Sequence, residues 1–439
     1  MNIAVVGSGI SGLIAVEDLR LRHRVTLFEA AARLGGHTNT VEVDLGGERH
    51  AIDTGFIVFN DRTYPNFCRR LAEWGVESQP TEMSFSVRCD SASLEYNGSS
   101  LNGLFIQRKN LLSRRFHRMI RDVLRFNREA TLLAASDKDR EESITVSQFL
   151  ARGRYSREFA EHYLLPMGAA IWSCPYGAFG EFPIRFIAEF YHHHGLLSLR
   201  NRPQWRTING GSRRYIDALT RRWRDDVSIR LSTPIARIRR NSETVILTPK
   251  AGPQEHFDHV VFACHSDQAL RLLADAAPAE REILSAFPYG RNSAALHTDT
   301  SLLPRRRGAW ASWNYLVPDA AQRDSALPSL TYNMNILQRL DSQRIFCVTL
   351  NAEDRIDPSQ VLQRFIYEHP VFSPGRAAMQ ARHRELLCAN RSSFCGAYWG
   401  NGFHEDGVVS AMAVARAINS REAVPHARTE FARAVEAAT

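Results

Sequence analysis

The stretch Ile3-Ala4-Val5-Val6-Gly7-Ser8-Gly9-Ile10-Ser11-Gly12-Leu13 sets the architecture of the chain. Its apolar run, Ile3 to Val6, reads as a buried parallel strand, the glycines as a tight turn, and Leu13 to Leu21 as a helix packing back on the strand. Gly7 can take a backbone conformation closed to other residues, Gly9 lets the main chain approach a pyrophosphate, and Gly12 allows close helix–strand contact. The helix N-terminus then offers free N–H groups to an anion. A second apolar strand, Val25 to Phe28, ends in Glu29, a carboxylate placed to accept hydrogen bonds from an adenosine ribose. The glycines alone leave an ordinary βαβ unit open. Strand, glycines, helix, strand and acid in this order point to a dinucleotide site.

The motif continues as Arg33-Leu34-Gly35-Gly36-His37-Thr38. An acid followed four residues later by Arg-x-Gly-Gly resembles the FAD-binding signature of the flavin-containing amine oxidase superfamily, which includes monoamine and polyamine oxidases and phytoene-desaturase-like enzymes. More narrowly, the chain is similar to a bacterial and plant group often encoded beside, or fused to, cyclopropane-fatty-acyl synthases. The resemblance implies FAD rather than NAD, with Gly7, Gly9, Ile10, Ser11, Gly12, Glu29, Ala30, Arg33, Gly35, Gly36, His37 and Thr38 at the cofactor. It also implies an α/β fold: a Rossmann-like FAD-binding domain, parallel sheet plus β-meander, with an inserted α+β substrate domain. The cofactor domain is expected to be discontinuous, over residues 1–80, 205–290 and 385–420. The substrate domain takes 81–204 and 291–384, and 421–439 form a C-terminal tail.

A chain of 439 residues exceeds the usual single-core size, so two domains are expected. It has no run of about 18 apolar residues, and the first strand leaves no room for a signal peptide, so a cytoplasmic protein is the simplest reading. Seven cysteines without any CxxC pair suit buried free thiols rather than a disulfide framework or a zinc site. The net charge of +8 is nearly all arginine, the only lysines being Lys109, Lys138 and Lys250. Such an excess can steer the protein to an anionic partner, a phospholipid surface included; no nucleic-acid motif is present.

Thr40 to Asp44 and Arg49 to Ile52 alternate as a hairpin around Gly46-Gly47 and deliver Asp53-Thr54-Gly55-Phe56. By resemblance Thr54, Gly55 and Phe56 contact the flavin. Tyr64 to Gly75 reads as a helix, Ser84 to Ser100 as short strands, and Leu104 to Ala135 as a long basic stretch of helical period. This stretch is either a substrate-domain helix with a solvated face or an amphipathic element on an anionic membrane, admitting a lipid substrate. Helix starts are read at Ser143 to Leu150 and Glu158 to Ala170. Adjacent His192-His193-His194 point in different directions and form no i, i+4 metal pair, so no metal is expected.

Trp205 to Gly211 and a helix Tyr215 to Trp223 resemble the return to the cofactor domain, followed by strands Val227 to Leu231, Ile235 to Ile238, Val245 to Thr248 and His259 to Ala263. By resemblance Ile235 contacts adenine through its backbone and Ala263 ends a strand near the dinucleotide. Ala294 to Asp299 reads as a strand with His297 and Asp299 on one face. Trp172, Trp313, Tyr315 and Tyr332 are candidate walls of an apolar substrate cavity. Amine oxidases usually carry a lysine in this region that holds a water near flavin N5; no lysine of this chain falls there, and His297 is the nearest polar substitute.

The closing motif, Gly396-Ala397-Tyr398 through Gly402-Phe403-His404-Glu405-Asp406-Gly407, precedes a helix Val408 to Ile418. It resembles the superfamily's turn into a helix whose N-terminus faces the flavin pyrimidine, where its dipole stabilises reduced-flavin charge. Gly396, Glu405, Asp406 and Gly407 are the implied contacts, Asp406 serving as N-cap, while His404 is a candidate donor to flavin or substrate. Tyr398 stands where the family has an acid.

The expected function is an FAD-dependent oxidoreductase taking a hydride at flavin N5 from an apolar, fatty-acyl or other lipid substrate. Two alternatives stand beside it: a flavin amine oxidase, and a non-catalytic flavin-binding partner of a lipid-modifying, fatty-acyl methyltransferase-type enzyme. Peripheral membrane contact accompanies the lipid reading.

Overall fold

The computed structural model describes residues 1–136, 144–198, 202–373 and 375–436, with side chains described as far as 420. In chain order the strands are β1 (Asn2–Val6), β2 (Arg24–Phe28), β3 (Thr40–Leu45), β4 (Glu48–Asp53), β5 (Phe59–Asn60), β6 (Ser78–Pro80), β7 (Phe85–Cys89) and β8 (Leu94–Asn97). Then come β9 (Trp205–Ile208), β10 (Val227–Arg230), β11 (Ile235–Arg240), β12 (Val245–Pro249), β13 (Glu255–Phe257) and β14 (His259–Phe262). The last six are β15 (Tyr289–His297), β16 (Trp313–Leu316), β17 (Ser329–Asn333), β18 (Cys347–Leu350), β19 (Val361–Pro370) and β20 (Ser392–Phe394).

A parallel sheet in the order β10-β2-β1-β14-β20 lies at the centre of the cofactor half, with Val5 in register with Leu27 on one side and Val261 on the other. Alternation sends Ile3 and Val5 to one face and Ala4 and Val6 to the other. Both faces are buried, which is why the strand reads as a continuous apolar run. Ile3 and Val5 pack against the helices Ile10–Leu19 and Arg213–Trp223 and the closing helix His404–Glu436. Ala4 and Val6 pack under the antiparallel meander β11-β12-β13. The expected α/β architecture with a meander is therefore present.

A seven-stranded sheet, β19-β15-β18-β17-β16-β7-β8, forms the other half. Its pairings are antiparallel except β16 with β7, which run parallel and join chain segments some 230 residues apart (Trp313 with Phe85). Helices Arg114–Ala135 and Ile184–His193 cover it through an aromatic core that includes Phe126, Phe159, Trp172 and Tyr191.

Several element boundaries differ from the sequence reading, among them the closing helix, which starts at His404 and not Val408, and the helix expected over Glu158 to Ala170, which a π segment Ala160–Leu164 interrupts. The basic stretch is not one helix: a short helix Leu101–Leu104 and a 3-10 turn Arg108–Leu112 precede Arg114–Ala135, and Ser113 Oγ caps the latter by accepting from Phe116 N at 3.3 Å. The segment expected as a tail continues the closing helix to Glu436. The helix expected from Ser143 begins at Val146, with Thr145 and Gln148 in a capping box; Ser143 lies outside the described residues. Among the described residues no helix is long and apolar enough to cross a membrane.

Candidate active site

The glycine turn after β1 is built by close approach. Gly7 has φ +104°, and a Cβ there would lie 2.8 Å from the Ala263 carbonyl oxygen. A Cβ on Gly12 would fall on the Gly7 carbonyl. Gly9 differs, because a Cβ there meets nothing within 4 Å. The turn thus has two packing glycines and one that faces open space, the division a pyrophosphate cradle requires. Gly36 sits over this opening, its Cβ position 3.2 Å from Gly9 Cα. Gly407 packs the closing helix onto Ile10 and Ser11, with Cβ contacts of 2.7 and 2.8 Å, so two helix N-termini converge beside the turn.

Glu29 accepts from Ser8 N at 2.9 Å, Ser8 Oγ at 2.5 Å and Ala31 N at 2.8 Å, which fixes the turn to the end of β2 while Ala30 stays exposed beside it. Thr233 N donates to the Glu29 carbonyl at 2.9 Å, so Ile235 starts β11 next to the ribose-binding candidate. Arg33 turns its guanidinium onto the loop, donating to Gly36 O at 2.9 Å and Thr38 O at 3.0 Å. Ala263 N donates to Val6 O at 2.8 Å, placing Ala263 against the turn, and Gly396 N is held by Ser410 Oγ at 3.0 Å. Tyr398 is buried in the core under the meander beside Phe287 and Trp399, so no acid replaces it at the cradle from that position.

Beyond Gly36 the chain enters a buried polar region. Thr38 Oγ1 lies 2.5 Å from Tyr215 OH and 3.1 Å from His404 Nε2, and these last two are 3.3 Å apart. Phe56 stacks on His404 with centroids 3.5 Å apart and planes 9° apart. Burial lowers the His404 pKa to about 3, so the ring is neutral. Its Nε2 lies within hydrogen-bond distance of two protein hydroxyls, those of Thr38 and Tyr215. Thr54 Oγ1 meets Tyr367 OH at 2.7 Å, and Asn39 Nδ2 donates to both at 2.9 and 3.0 Å. Gly55 has no room for a Cβ over the His37 carbonyl. The His37 ring lies 5.2 Å from Tyr367 and 5.3 Å from His369, and its buried Nε2 has no partner among the described residues. Desolvation, then the neighbouring histidines, hold His37 well below its ordinary pKa. An unpartnered buried nitrogen beside an open glycine cradle fits a polar cofactor entering between Gly9, Gly36 and His37.

Asp53, which the sequence reading does not single out, binds the halves together. It accepts from Thr40 Oγ1 at 2.6 Å, Ser212 N at 2.9 Å, Ser212 Oγ at 2.7 Å and Gln338 Nε2 at 3.1 Å. Burial pushes its pKa up to about 6 against these lowering bonds. Its signal in sequence is weak: one acid at the end of a hairpin.

Other expected residues fall elsewhere. His297 is fully buried and pairs with Thr349 Oγ1 at 2.7 Å. It pairs with Val361 on β19, six residues and so roughly 20 Å along the strand from Tyr367, which lies beside His37. Asp299 does not share a sheet face with it as a pair; its carboxylate accepts from Ser301 N and Asp357 N. Trp172 and Tyr315 belong to the packed aromatic core, with Trp172 4.8 Å from Phe190 and Tyr315 1 % exposed. Trp313 and Tyr332 pair edge to face at 5.1 Å and remain half-buried at the junction of two cores.

At the N-terminus of the closing helix, Glu405 spans to the helix Pro65–Glu73, accepting from Asn66 N and Phe67 N at 3.0 Å each. Asp406 is the third residue of its helix and not the N-cap expected of it; it reaches back to accept from Asn401 N at 3.0 Å and from the amide of the N-cap residue Phe403 at 2.8 Å. Burial raises its pKa to about 6. A cavity of about 360 Å³ opens here, lined by Arg62, Thr63, Tyr64, His192, His193, His194, Asn401, Phe403, Glu405 and Asp406. Arg62, Thr63 and Tyr64 are absent from the sequence-based site; their only signal is a polar run ahead of a helix. Among the described residues no cluster suits a metal.

The model of the flavin-containing amine oxidoreductase family matches residues 10–312. No curated protein matches the chain significantly. A solved structure of a putrescine oxidase mutant with redesigned cofactor binding superposes with TM-score 0.69 at 15% identity, over 96% of this chain and 99% of that one. Cyclohexylamine oxidase from Brevibacterium oxydans superposes with TM-score 0.65 at 17% identity, over 95% and 99%. A CLA-producing fatty acid isomerase from P. acnes superposes with TM-score 0.67 at 15% identity, over 94% and 98%. At such identities the superpositions speak for the fold, and the family match carries the assignment. The chain belongs to the flavin-containing amine oxidoreductase family and is an FAD-dependent oxidoreductase.

Proposed function

We propose that the protein oxidises an apolar, lipid-like substrate. The observation that carries this reading is the outer face of the helix Arg114–Ala135. Arg114, Arg121 and Arg128 share that face with Leu124, 49 % exposed, and Leu132, 65 % exposed, and Leu112 just ahead of the helix is 91 % exposed. Aliphatic side chains left in water among cations suit the headgroup boundary of an anionic lipid surface. Both candidate contributions from the sequence, the basic stretch and the missing lysine, agree: Lys109 and Lys250 lie outside the strands β15 to β19, and Lys138 lies outside the described residues.

FAD, when bound, supplies the two-electron acceptor. The protein's share is to hold it and to shape a dry site. Gly7, Gly12 and Gly407 bring backbones together at the cradle, Glu29 and Arg33 fix the loops that flank it, and Phe56 and the neutral His404 present an uncharged, packed surface beside them. Likeness to putrescine and cyclohexylamine oxidases favours a second reading, amine oxidation. Anaerobic titration of the yellow protein, followed at the flavin absorbance band, separates them. Bleaching by fatty acids or phospholipids, and not by putrescine or cyclohexylamine, is the expected result; bleaching by the amines alone overturns it. Sedimentation with anionic vesicles, lost on Leu112→Glu with Leu132→Glu, checks the lipid surface.

A further inference from the structure

The helix Arg114–Ala135 carries six arginines, and they divide into two sets. Arg115 and Arg118 pair with Glu158, and Arg125 pairs with Asp122 and Glu129. Arg114, Arg121 and Arg128 are exposed and have no hydrogen-bond or ion-pair partner among the described residues. Their spacing of seven keeps them on one side of the helix, the side that also exposes Leu124 and Leu132.

Arg128 borders a groove of about 310 Å³ whose other lining residues are Leu124, Asn127, Thr131, Leu132 and Leu197. Such a volume lies at the lower end of small-ligand sites, which run from about 300 to 1,000 Å³. Positions 124, 127, 128, 131 and 132 form one stripe of the helix, so the groove runs about 12 Å along its axis. Leu197 comes from the segment that follows the helix Ile184–His193. None of the described lining residues is acidic. Asn127 is 9 % exposed, and its Oδ1 is sealed from water with no hydrogen-bond partner among the described residues. A buried carbonyl left unpaired costs free energy that a donor on a ligand recovers. Thr131 is not that donor, because its hydroxyl gives its proton to the Asn127 main-chain carbonyl at 2.7 Å.

The groups of the groove make three separate demands. Oδ1 needs an O–H or N–H; an ammonium would meet the repulsion of Arg114, Arg121 and Arg128, which leaves a hydroxyl. Arg128 needs an anionic oxygen. Leu124, Leu132 and Leu197 need an alkyl chain. A fatty-acid carboxylate lacks the hydroxyl, and a phosphocholine head lacks it and brings a cation.

We propose that this groove binds a phosphoglycerol lipid, with the phosphate on Arg128, a glycerol hydroxyl donating to Asn127 Oδ1 and the start of an acyl chain along the leucines. The inference rests on the lipid-surface reading of this helix face and not on which bond the flavin oxidises.

Calorimetric titration of the flavin-loaded protein with monomeric dihexanoyl phosphatidylglycerol and dihexanoyl phosphatidylmethanol, equal in charge and chains, isolates the hydroxyl. The phosphatidylglycerol binds about fivefold tighter, the effect of one net hydrogen bond. Asn127→Leu, which removes the unpaired acceptor and keeps the size, abolishes the difference without lowering the thermal midpoint. Arg128→Gln, at an exposed position, weakens both lipids by about fivefold or more and leaves their ratio unchanged. Equal binding of the two lipids overturns the proposal, as does a preference that survives Asn127→Leu or affinities untouched by Arg128→Gln. A β-hydroxydecanoate that binds tighter than the phosphatidylglycerol overturns it in favour of a free hydroxy acid. Vesicle sedimentation and flavin bleaching keep the readings apart: hydroxyl preference without bleaching by any lipid sinks lipid oxidation alone, and vesicle binding without hydroxyl preference sinks the groove alone.

Discussion

Gly9 and Gly12, three residues apart in one turn, predict opposite outcomes for the same substitution. Gly12→Ala drives a Cβ into the Gly7 carbonyl, a backbone atom that cannot move without shifting β1, and costs about 3 kcal/mol of stability. Gly9→Ala meets open space, so the apoprotein keeps its thermal midpoint while FAD affinity drops at least tenfold, the order of 1.4 kcal/mol. Thermal unfolding of apo forms and flavin retention on desalting separate the two. Asp53 makes a pH prediction. Its folded pKa, raised to about 6 from 3.8, means that the folded state holds the proton more tightly than the unfolded chain. Its contribution is therefore most favourable below about pH 4 and is lost as pH rises to about 6, with no change beyond. Asp53→Ala strands donors from Thr40, Ser212 and Gln338 and costs on the order of 3 kcal/mol, while flattening that pH window in denaturant titrations.

At the scale of elements, one helix is capped by another. The helix Pro65–Glu73 has no side-chain cap from its own Tyr64, and Glu405 of the closing helix supplies it. Glu405→Ala should cost about 1 kcal/mol and speed amide exchange at Asn66 and Phe67 before any other residue of that helix. Uniform exchange across the helix would count against this. The break at Ser113 has a similar local cause. Hydrophobic period alone carries Leu104 to Ala135 as one run, but a serine hydroxyl that satisfies the Phe116 amide makes a start point that periodicity does not register.

At the scale of the molecule, the seven-stranded sheet depends on segments that the chain delivers separately. β7 and β8 form a hairpin that gains its third strand only from β16, paired in parallel over Phe85 to Arg88. Residues 81–204 produced alone should lack cooperative unfolding and dispersed amide resonances, because a two-stranded hairpin is marginal in water and its covering helices lose half their sheet. A cooperative transition in that fragment would refute the dependence.

Most of the parallel sheet, the hairpin and the meander are legible in the sequence because their signals are short: apolar runs between glycines, alternation over a few residues, a proline or glycine at an end. The cofactor turn is the extreme case, since Gly12 and Glu29 act on Gly7 and Ser8 within one βαβ unit, and only the approach of Gly7 to Ala263 reaches outside it. Histidine roles are not legible. Nothing local separates His297, held by Thr349 inside a sheet, from His37, left with an orphan nitrogen beside the cradle, or from His404, bonded to Thr38 across 366 residues. The same holds for Asp53 and for the cavity at Arg62. The βαβ turn, its acid and the class of cofactor are written in the residue order alone, because backbone sterics and strand period operate over a few residues. Which polar side chains meet is settled by packing in three dimensions, because a buried hydrogen bond takes its partner from whichever distant segment comes within 3 Å or so.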